Sequence, residues 1–280
     1  MLPFEIIDVF SDRAYAGNQL AVVHDAGDLT SGQMQAIARE FEYSETSFIL
    51  PATVEGADYR ARIFTPEEEL PFAGHPTIGS ALAVARSGPV TGNTGELVQE
   101  CAAGLMRVAV DGDTAKLTST AISVGPELDP ALAAAACGLP PSSVIGTPQN
   151  TSAGLDHNFV RVSEADVAAA ADVPGLMRKI YPFSFDPETN AVHARLFHAG
   201  IGEDPATGSA AVALGVYLVE QGLVTGDGAH AYEISQGAEI GRPSKLYGEV
   251  VVSGGRAVSA SVAGAAVQVA KGELVALPEA

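Results

Sequence analysis

Length, composition and charge restrict the classes of function open to this chain. Its 280 residues suffice for one large or two ordinary domains, and 47% hydrophobic with 18% charged residues is a globular composition, which excludes intrinsic disorder. The net charge of -19 repels nucleic acid and anionic membranes, so we expect neither as a partner. An anionic substrate would need a local positive potential, and helix N-termini can supply one.

The cysteines and the N-terminal residues bear on compartment. Cys101 and Cys137 show neither a paired spacing nor a cluster with the histidines, so we expect no disulfide framework and no metal site. Residues 1–8 carry acids where a signal peptide would carry basic residues, which favours a cytoplasmic protein. The uncharged stretch 206–219 is shorter than the roughly 20 residues needed to cross a bilayer, so no membrane span is expected.

The first elements in chain order are two strands and a helix. Residues 4–10 and 20–23 are short apolar or β-branched runs, typical of strands. A helix follows, because Met34, Ile37, Ala38 and Phe41 recur at helical spacing after a capping-box pattern of Thr30 and Gln33. Glu45 is then predicted to lie on a short connection between this helix and a strand at 48–50.

Two further helices consist of small or apolar residues on nearly every side, which predicts that both are buried. Proline suits the first position of a helix and glycine the end, so one helix is predicted from Pro76 to about Gly88. Asp204-Pro205 is predicted to open the other over 206–221. Strand-like segments lie around these helices, including 196–197, 249–253 and 265–269. The pattern predicts an α/β (α+β) fold in which a curved mixed sheet wraps around a central helix, twice.

The two helix starts also indicate an internal duplication. Residues 75–81 (HPTIGSA) align with 204–210 (DPATGSA), and a weaker echo pairs Asn18 with Asn158. We therefore predict two pseudo-symmetric halves, of residues 1–122 with 264–280 and of residues 123–263.

The aligned helix starts suggest an anion site. His75 and Asp204 would be the N-caps of the two helices, whose first amides would face one cleft between the halves. Gly74 and Gly208 would allow close approach of the backbone to a ligand. Such a site could hold a small carboxylate without any lysine.

Four motifs together resemble the PhzF phenazine-biosynthesis family. They occur in the family's order and span most of the chain: residues 44–48 (SETSF), 72–76 (FAGHP), 202–210 (GEDPATGSA) and 236–244 (QGAEIGRPS). The Asn18 motif departs slightly, because Gln19 stands where many relatives have proline.

The resemblance implies fold, reaction and site residues. It implies the diaminopimelate-epimerase fold, a homodimer and an isomerase without cofactor or metal that acts on a small anionic carboxylate. The best-defined family reaction is isomerisation of trans-2,3-dihydro-3-hydroxyanthranilate, in which a glutamate matching Glu45 removes a proton from C3 and a proton returns at C1. By carry-over, the catalytic residues are Glu45, His75 and Asp204, and the substrate-binding residues are Asn18, Gly74, Gly208 and Ser209.

Two other functions stay open at this point. An amino-acid epimerase or racemase is the nearest enzymatic alternative, although Cys101 and Cys137 fall outside the motifs where the epimerase branch of the superfamily has its paired thiols. A non-catalytic protein that binds a small metabolite in the same cleft is the other.

Overall fold

The computed structural model describes residues 1–87, 94–199 and 202–279. The chain divides into two compact units, one of residues 1–117 and 263–280 and the other of residues 118–262. The predicted helix end at Gly88 and the last residue of the predicted first half, Ala280, lie outside the described residues.

The first unit is a mixed sheet packed on one buried helix. Its elements are β1 (Leu2–Val9), β2 (Asn18–Val23), α1 (Ser31–Phe41), β3 (Glu45–Leu50), β4 (Tyr59–Phe64), β5 (Glu69–Leu70), α2 (Gly74–Ser87), β6 (Thr94–Cys101), β7 (Gly104–Asp111) and β8 (Thr114–Ser119). β1 and β2 are antiparallel, β2 and β3 parallel, β3 and β4 antiparallel, β4 and β6 parallel, and β6 and β7 antiparallel. α1 connects the parallel pair β2 and β3, as helices commonly do.

The predicted helix at Met34 is confirmed with its cap. Thr30 Oγ1 accepts from the backbone N–H of Gln33, and the Gln33 side chain accepts from the N–H of Thr30, so the capping box is complete. The buried residues Met34, Ile37 and Ala38 lie on one face of α1 and pack into a core cluster with Phe48 and Phe64.

The core of the first unit is built around α2, which contacts six strands of the sheet, β1 to β4, β6 and β7. Gly79 is the point of closest approach to the sheet, because a Cβ there would lie 2.6 Å from Leu20 Cδ2 and 2.9 Å from Ile7 Cδ1. The all-round apolar surface predicted for α2 is therefore buried by the sheet around it.

The second unit repeats the order of strand pairings. Its elements are β9 (Ile122–Glu127), α3 (Pro130–Ala136), β10 (Gln149–Ala153), β11 (Asp156–Arg161), α4 (Glu164–Ala169), β12 (Lys179–Asp186), β13 (Ala191–Ala194), β14 (Leu196–His198), β15 (Gly202–Asp204), α5 (Gly208–Glu220), β16 (Gly228–Gln236) and β17 (Ser244–Ser253). β10 and β11 are antiparallel, β11 and β12 parallel, β12 and β13 antiparallel, β13 and β16 parallel, and β16 and β17 antiparallel.

The helix α5 occupies the place in the second unit that α2 occupies in the first, since it packs on β9, β10, β11 and β17. The final strand, β18 (Arg256–Leu274), pairs antiparallel with β1 in the first unit. The predicted α+β fold, a mixed sheet around a central helix in each of two units, is confirmed. None of the helices in the described ranges is both long and apolar enough to cross a membrane.

Both predicted helix starts are wrong. α2 begins at Gly74, two residues before Pro76. Proline is tolerated at that position because residues in the first turn of a helix make no N–H bond within the helix. The bond to the Ala73 carbonyl comes from the N–H of Thr77, after the proline. α5 begins at Gly208 with Thr207 as its N-cap residue. Residues 205–207 form a linker before it, because Asp204 belongs to β15 and pairs with Leu196 of β14.

These starts change the alignment of the two units. His75 is the second residue of α2, and Ser209 is the second residue of α5, so His75 corresponds to Ser209 and not to Asp204. The predicted role of His75 and Asp204 as N-caps is therefore also wrong. The alignment of the two prolines was misleading, because Pro76 is the third residue of α2 whereas Pro205 lies three residues before α5 begins.

Candidate active site

Glu45 is a nearly buried carboxylate at the start of a strand. It is the first residue of β3 and lies opposite Leu20 in the parallel pair with β2. The prediction that Glu45 lies on the connection before this strand is therefore wrong, because the strand already begins at Glu45. Its side chain is 14% exposed. Burial raises the pKa of Glu45 to about 7, because the charged form loses its hydration, while a hydrogen bond from Ser44 offsets part of that rise.

His75 and Asn18 lie beside this carboxylate. Glu45 Oε2 is 3.6 Å from Nδ1 of His75, which is 5% exposed. Asn18 Nδ2 lies 3.4 Å from the same ring nitrogen, and the Ser44 hydroxyl donates to Asn18 Oδ1 at 3.4 Å. Asn18, Glu45 and His75, with Gly74 directly before His75, are thus brought together in the first unit.

This arrangement suits transfer of a proton in both directions. A carboxyl group with a pKa of about 7 is partly ionised at neutral pH, so it can accept a proton from carbon and also return one. The separation of 3.6 Å from His75 Nδ1 is longer than a hydrogen bond, so the two groups are neighbours that do not share a proton in this structure. Gly74 and His75 are also the first residues of α2, where backbone N–H groups point away from the helix.

A buried network fixes Asp204 in the second unit. Its carboxylate accepts from the Thr207 hydroxyl at 2.5 Å, and its backbone carbonyl accepts from Gln236 Nε2 at 2.8 Å. The same Gln236 nitrogen donates to Thr207 Oγ1 at 3.1 Å, while Gln236 Oε1 accepts from the Tyr181 hydroxyl at 3.1 Å. The linker before α5 is therefore held by one glutamine side chain.

Ser209 and Gly208 form the first turn of α5 in the same unit. Gly208 is buried and Ser209 is partly exposed. His157 Nε2 lies 2.9 Å from Ser209 Oγ. The second unit thus brings together Asp204, Gly208 and Ser209, with the hydroxyl of Ser209 held by a histidine from β11.

Comparisons with known proteins agree over nearly the whole chain. The profile of the family described as Phenazine biosynthesis-like protein (PhzC-PhzF) matches residues 7–272. An uncharacterized isomerase of Mesorhizobium japonicum is 39% identical, over 96% of this chain and 97% of that protein. The chain belongs to the PhzF phenazine-biosynthesis family.

Two further relatives of this PhzF-family protein define its fold and class. The trans-2,3-dihydro-3-hydroxyanthranilate isomerase of Pseudomonas aeruginosa is 32% identical, over 96% of this chain and 98% of that protein. The crystal structure of a Bacillus anthracis phenazine biosynthesis protein of the PhzF family superimposes with a TM-score of 0.88 at 25% identity, over 98% of this chain and 99% of that one. The chain is an isomerase with the diaminopimelate-epimerase-like fold.

The cysteines of this PhzF-family protein are poorly suited to proton transfer at carbon. Both are free and buried. Burial raises the pKa of Cys101, and it raises the pKa of Cys137 to about 12, although Arg195 lowers the latter slightly. At neutral pH both thiols stay protonated, and a thiol reacts as the thiolate.

Three residues of the second unit escaped the sequence reasoning: His157, Thr207 and Gln236. Gln236 opens one of the four family motifs, but no role followed from the motif alone. A structural signal was present in the adjacent Gly237, which has φ +78° and where a Cβ would lie 2.5 Å from the Pro205 carbonyl oxygen. His157 stood one residue from the predicted echo of Asn18.

Within residues 1–87, 94–199 and 202–279, histidine, cysteine, aspartate and glutamate side chains form no group of three or more that could hold a metal ion. The groups with chemistry described in the two units are two carboxyl groups, two imidazoles, hydroxyls and backbone amides.

Proposed function

We propose that this PhzF-family isomerase shifts a proton on a small anionic carboxylate substrate, without cofactor or metal, and that Glu45 is the acid/base. The observation that carries the proposal is the position of Glu45. It is a nearly buried carboxylate with a pKa of about 7, 3.6 Å from His75 at the start of a buried helix. General acid/base catalysis of this kind contributes about 10² to 10⁴ in rate, and is most effective when the catalytic pKa lies near the working pH.

The other groups of the first unit support this role. Asn18 and His75 hold polar groups of the substrate close to the Glu45 carboxylate, and the amide at Gly74 lies in the first turn of α2, where an anion is favoured. In the proposed reaction His75 assists proton movement, because its Nδ1 is the ring nitrogen nearest to Glu45.

The second unit has proposed site residues of its own. Ser209 and the amide at Gly208, in the first turn of α5, bind the substrate's carboxylate or the negative charge that develops on it. Asp204 is proposed to be the second catalytic carboxyl group, which the Thr207 hydroxyl holds in position.

The best candidate substrate is trans-2,3-dihydro-3-hydroxyanthranilate, the compound in the name of the Pseudomonas aeruginosa relative. Glu45 would remove the proton from C3 and a proton would be delivered at C1, so the double bonds move and no atom is gained or lost. Purified protein incubated with this compound in deuterium oxide is expected to consume the diene chromophore and to place deuterium at C1. Unchanged chromophore under these conditions would contradict this substrate and direct the search to other carboxylates.

Deuterium incorporation also separates the isomerase from an amino-acid epimerase when amino acids are incubated with the protein in parallel. An epimerase would place deuterium at a stereocentre of an amino acid without moving a double bond. The raised pKa values of Cys101 and Cys137 argue against an epimerase that uses two thiols.

The proposal includes a homodimer in the cytoplasm that binds neither nucleic acid nor membranes. The net charge of -19 supports the last two points, and the two free cysteines are compatible with a reducing compartment. Light scattering of the purified protein would show the mass of a dimer, and the mass of a monomer would contradict it.

A further inference from the structure

The two ring nitrogens of His157, the buried histidine of β11, differ in their hydrogen-bonding surroundings. His157 is 3% exposed, and its ring lies beside Phe159 with the ring centroids 6.2 Å apart. Nε2 lies 2.9 Å from Ser209 Oγ. Nδ1 is buried and has no hydrogen-bond partner among the described residues. Among the described residues the side-chain hydrogen-bond partner of the ring is therefore Ser209, a proposed substrate-binding residue.

Burial keeps this ring neutral. It lowers the pKa of His157 well below 6.5, since the charged form is desolvated, and repulsion from Lys179, and from His198 when that ring is protonated, adds to the effect. A neutral imidazole carries one N–H, on either Nδ1 or Nε2. The choice between the two tautomers decides what the Ser209 hydroxyl can do.

The surroundings favour the proton on Nε2. With the proton on Nδ1, a buried N–H would lack an acceptor, and orphaned N–H groups are rarer in proteins than under-satisfied acceptors. With the proton on Nε2, the N–H donates to Ser209 Oγ, and Nδ1 keeps only a lone pair without a partner. The second arrangement leaves the less costly group unsatisfied.

The first unit shows a comparable pair. The second residue of α2, His75, lies 3.4 Å from Asn18 Nδ2, and an amide nitrogen can only donate. In the first unit a strand residue thus donates to the second residue of the central helix, and the same arrangement in the second unit would have His157 donate to Ser209. This parallel supports a donor role for His157 independently of its pKa.

We propose that His157 is a positioning residue that donates its Nε2 proton to Ser209 Oγ and so leaves the Ser209 hydroxyl proton free to donate to an anionic oxygen of the substrate. The part that concerns the substrate rests on the proposed function. A serine in this state is a hydrogen-bond donor beside the first amides of α5, a setting that favours anions. It is not activated as a nucleophile, because activation would require Nε2 to accept the hydroxyl proton.

The test is the tautomer of His157 in the full chain. Long-range proton–nitrogen correlation spectra of the nitrogen-15-labelled protein distinguish the protonated from the unprotonated ring nitrogen, and the chain has only six histidines to assign. The His157→Gln variant, checked for folding by circular dichroism, identifies the His157 signals by their loss. Should that variant not fold, Ser209→Ala identifies them by the shift of Nε2.

We expect a neutral ring with the proton on Nε2 at neutral pH, and a shifted Nε2 signal in Ser209→Ala. A proton on Nδ1, or on both nitrogens, would overturn the proposal. The measurement needs no substrate, so a failure of the proposed isomerase activity would be seen separately and would not be mistaken for this result.

Discussion

His75 and Ser209 occupy the same position in the two units, the second residue of the central helix. A strand residue contacts each of them: Asn18 of β2 lies beside His75, and His157 of β11 lies beside Ser209. Two residues further along these strands stand Leu20 in β2 and Phe159 in β11, which also correspond. The two units therefore present the same framework with different side chains.

The parallel strand pairs extend this correspondence to the acid/base. Leu20 lies opposite Glu45, and Phe159 lies opposite Tyr181. Burial raises the pKa of Tyr181 far above its usual value, and its hydroxyl donates to Gln236. The place that holds an ionisable carboxylate in the first unit holds a neutral phenol in the second, which fits a reaction that uses one main base.

The pH dependence of activity follows from the pKa of Glu45. Because the base must be ionised in the free enzyme, we expect kcat/KM to rise with pH and to level off above an apparent pKa of about 7. Initial rates at several pH values in constant ionic strength measure this. An apparent pKa near 4.5, the value of an unperturbed glutamate, would show that the pKa of Glu45 is not raised in the free enzyme.

The same group makes stability depend on pH. Between about pH 4.5 and pH 7 the folded chain holds a proton on Glu45 that the unfolded chain releases, so the free energy of unfolding contributed by this group falls as pH rises through that window. Glutamine does not titrate, so the Glu45→Gln variant does not lose this stability as the pH rises. We expect the variant to be more stable than the wild type at about pH 8, by up to about 3 kcal/mol, and similar to it below about pH 4.5.

Thermal unfolding of both proteins at the two pH values checks this prediction. An equal stability difference at low and high pH would mean that the substitution acts by packing and not through the proton.

Gln236 is predicted to be the main support of the α5 start. Gln236→Ala removes the acceptor of the buried Tyr181 hydroxyl and one donor to the Asp204 carbonyl, and each such loss costs about 1 to 3 kcal/mol. We expect a loss of about 2 to 4 kcal/mol in the free energy of unfolding, measured with urea. The control Gln35→Ala breaks one partly buried bond, from the Gln35 side chain of α1 to the Thr65 carbonyl, and should cost less than about 1 kcal/mol. Equal losses in the free energy of unfolding of the two variants would contradict the role of Gln236 as the main support of the α5 start.

The cysteines are predicted to be dispensable for turnover. Their burial keeps both thiols protonated at neutral pH, so the double variant Cys101→Ala/Cys137→Ala should keep kcat/KM within about threefold of the wild type. Steady-state rates at a temperature where the variant is folded decide this. A drop of about 10³-fold or more would instead favour a thiol mechanism.

Local signals explain what could be predicted from the sequence. The capping box of α1 lies within four residues, Thr30 to Gln33, and both of its hydrogen bonds are present. The all-round apolar pattern of α2 and α5 likewise fixed their burial, since a helix of this composition needs apolar neighbours on every side.

Distant contacts explain what could not be predicted. Asp204-Pro205 has the pattern of a helix start, but Gln236, 32 residues later, binds the Asp204 carbonyl and the strand β14 pairs with Asp204, so the helix starts after them. His157 gains its meaning only from Ser209, 52 residues away. The raised pKa of Glu45 depends on burial, which no motif of five residues can show.

The central claim is that Glu45 is the acid/base, and the most direct measurement compares Glu45→Gln with Glu40→Gln, an exposed glutamate of α1, for turnover of trans-2,3-dihydro-3-hydroxyanthranilate. We expect Glu45→Gln to lower kcat by at least about 10²-fold with the fold intact, because a carboxamide cannot take up the proton, and Glu40→Gln to leave it unchanged. A wild-type rate in a folded Glu45→Gln variant would contradict the claim.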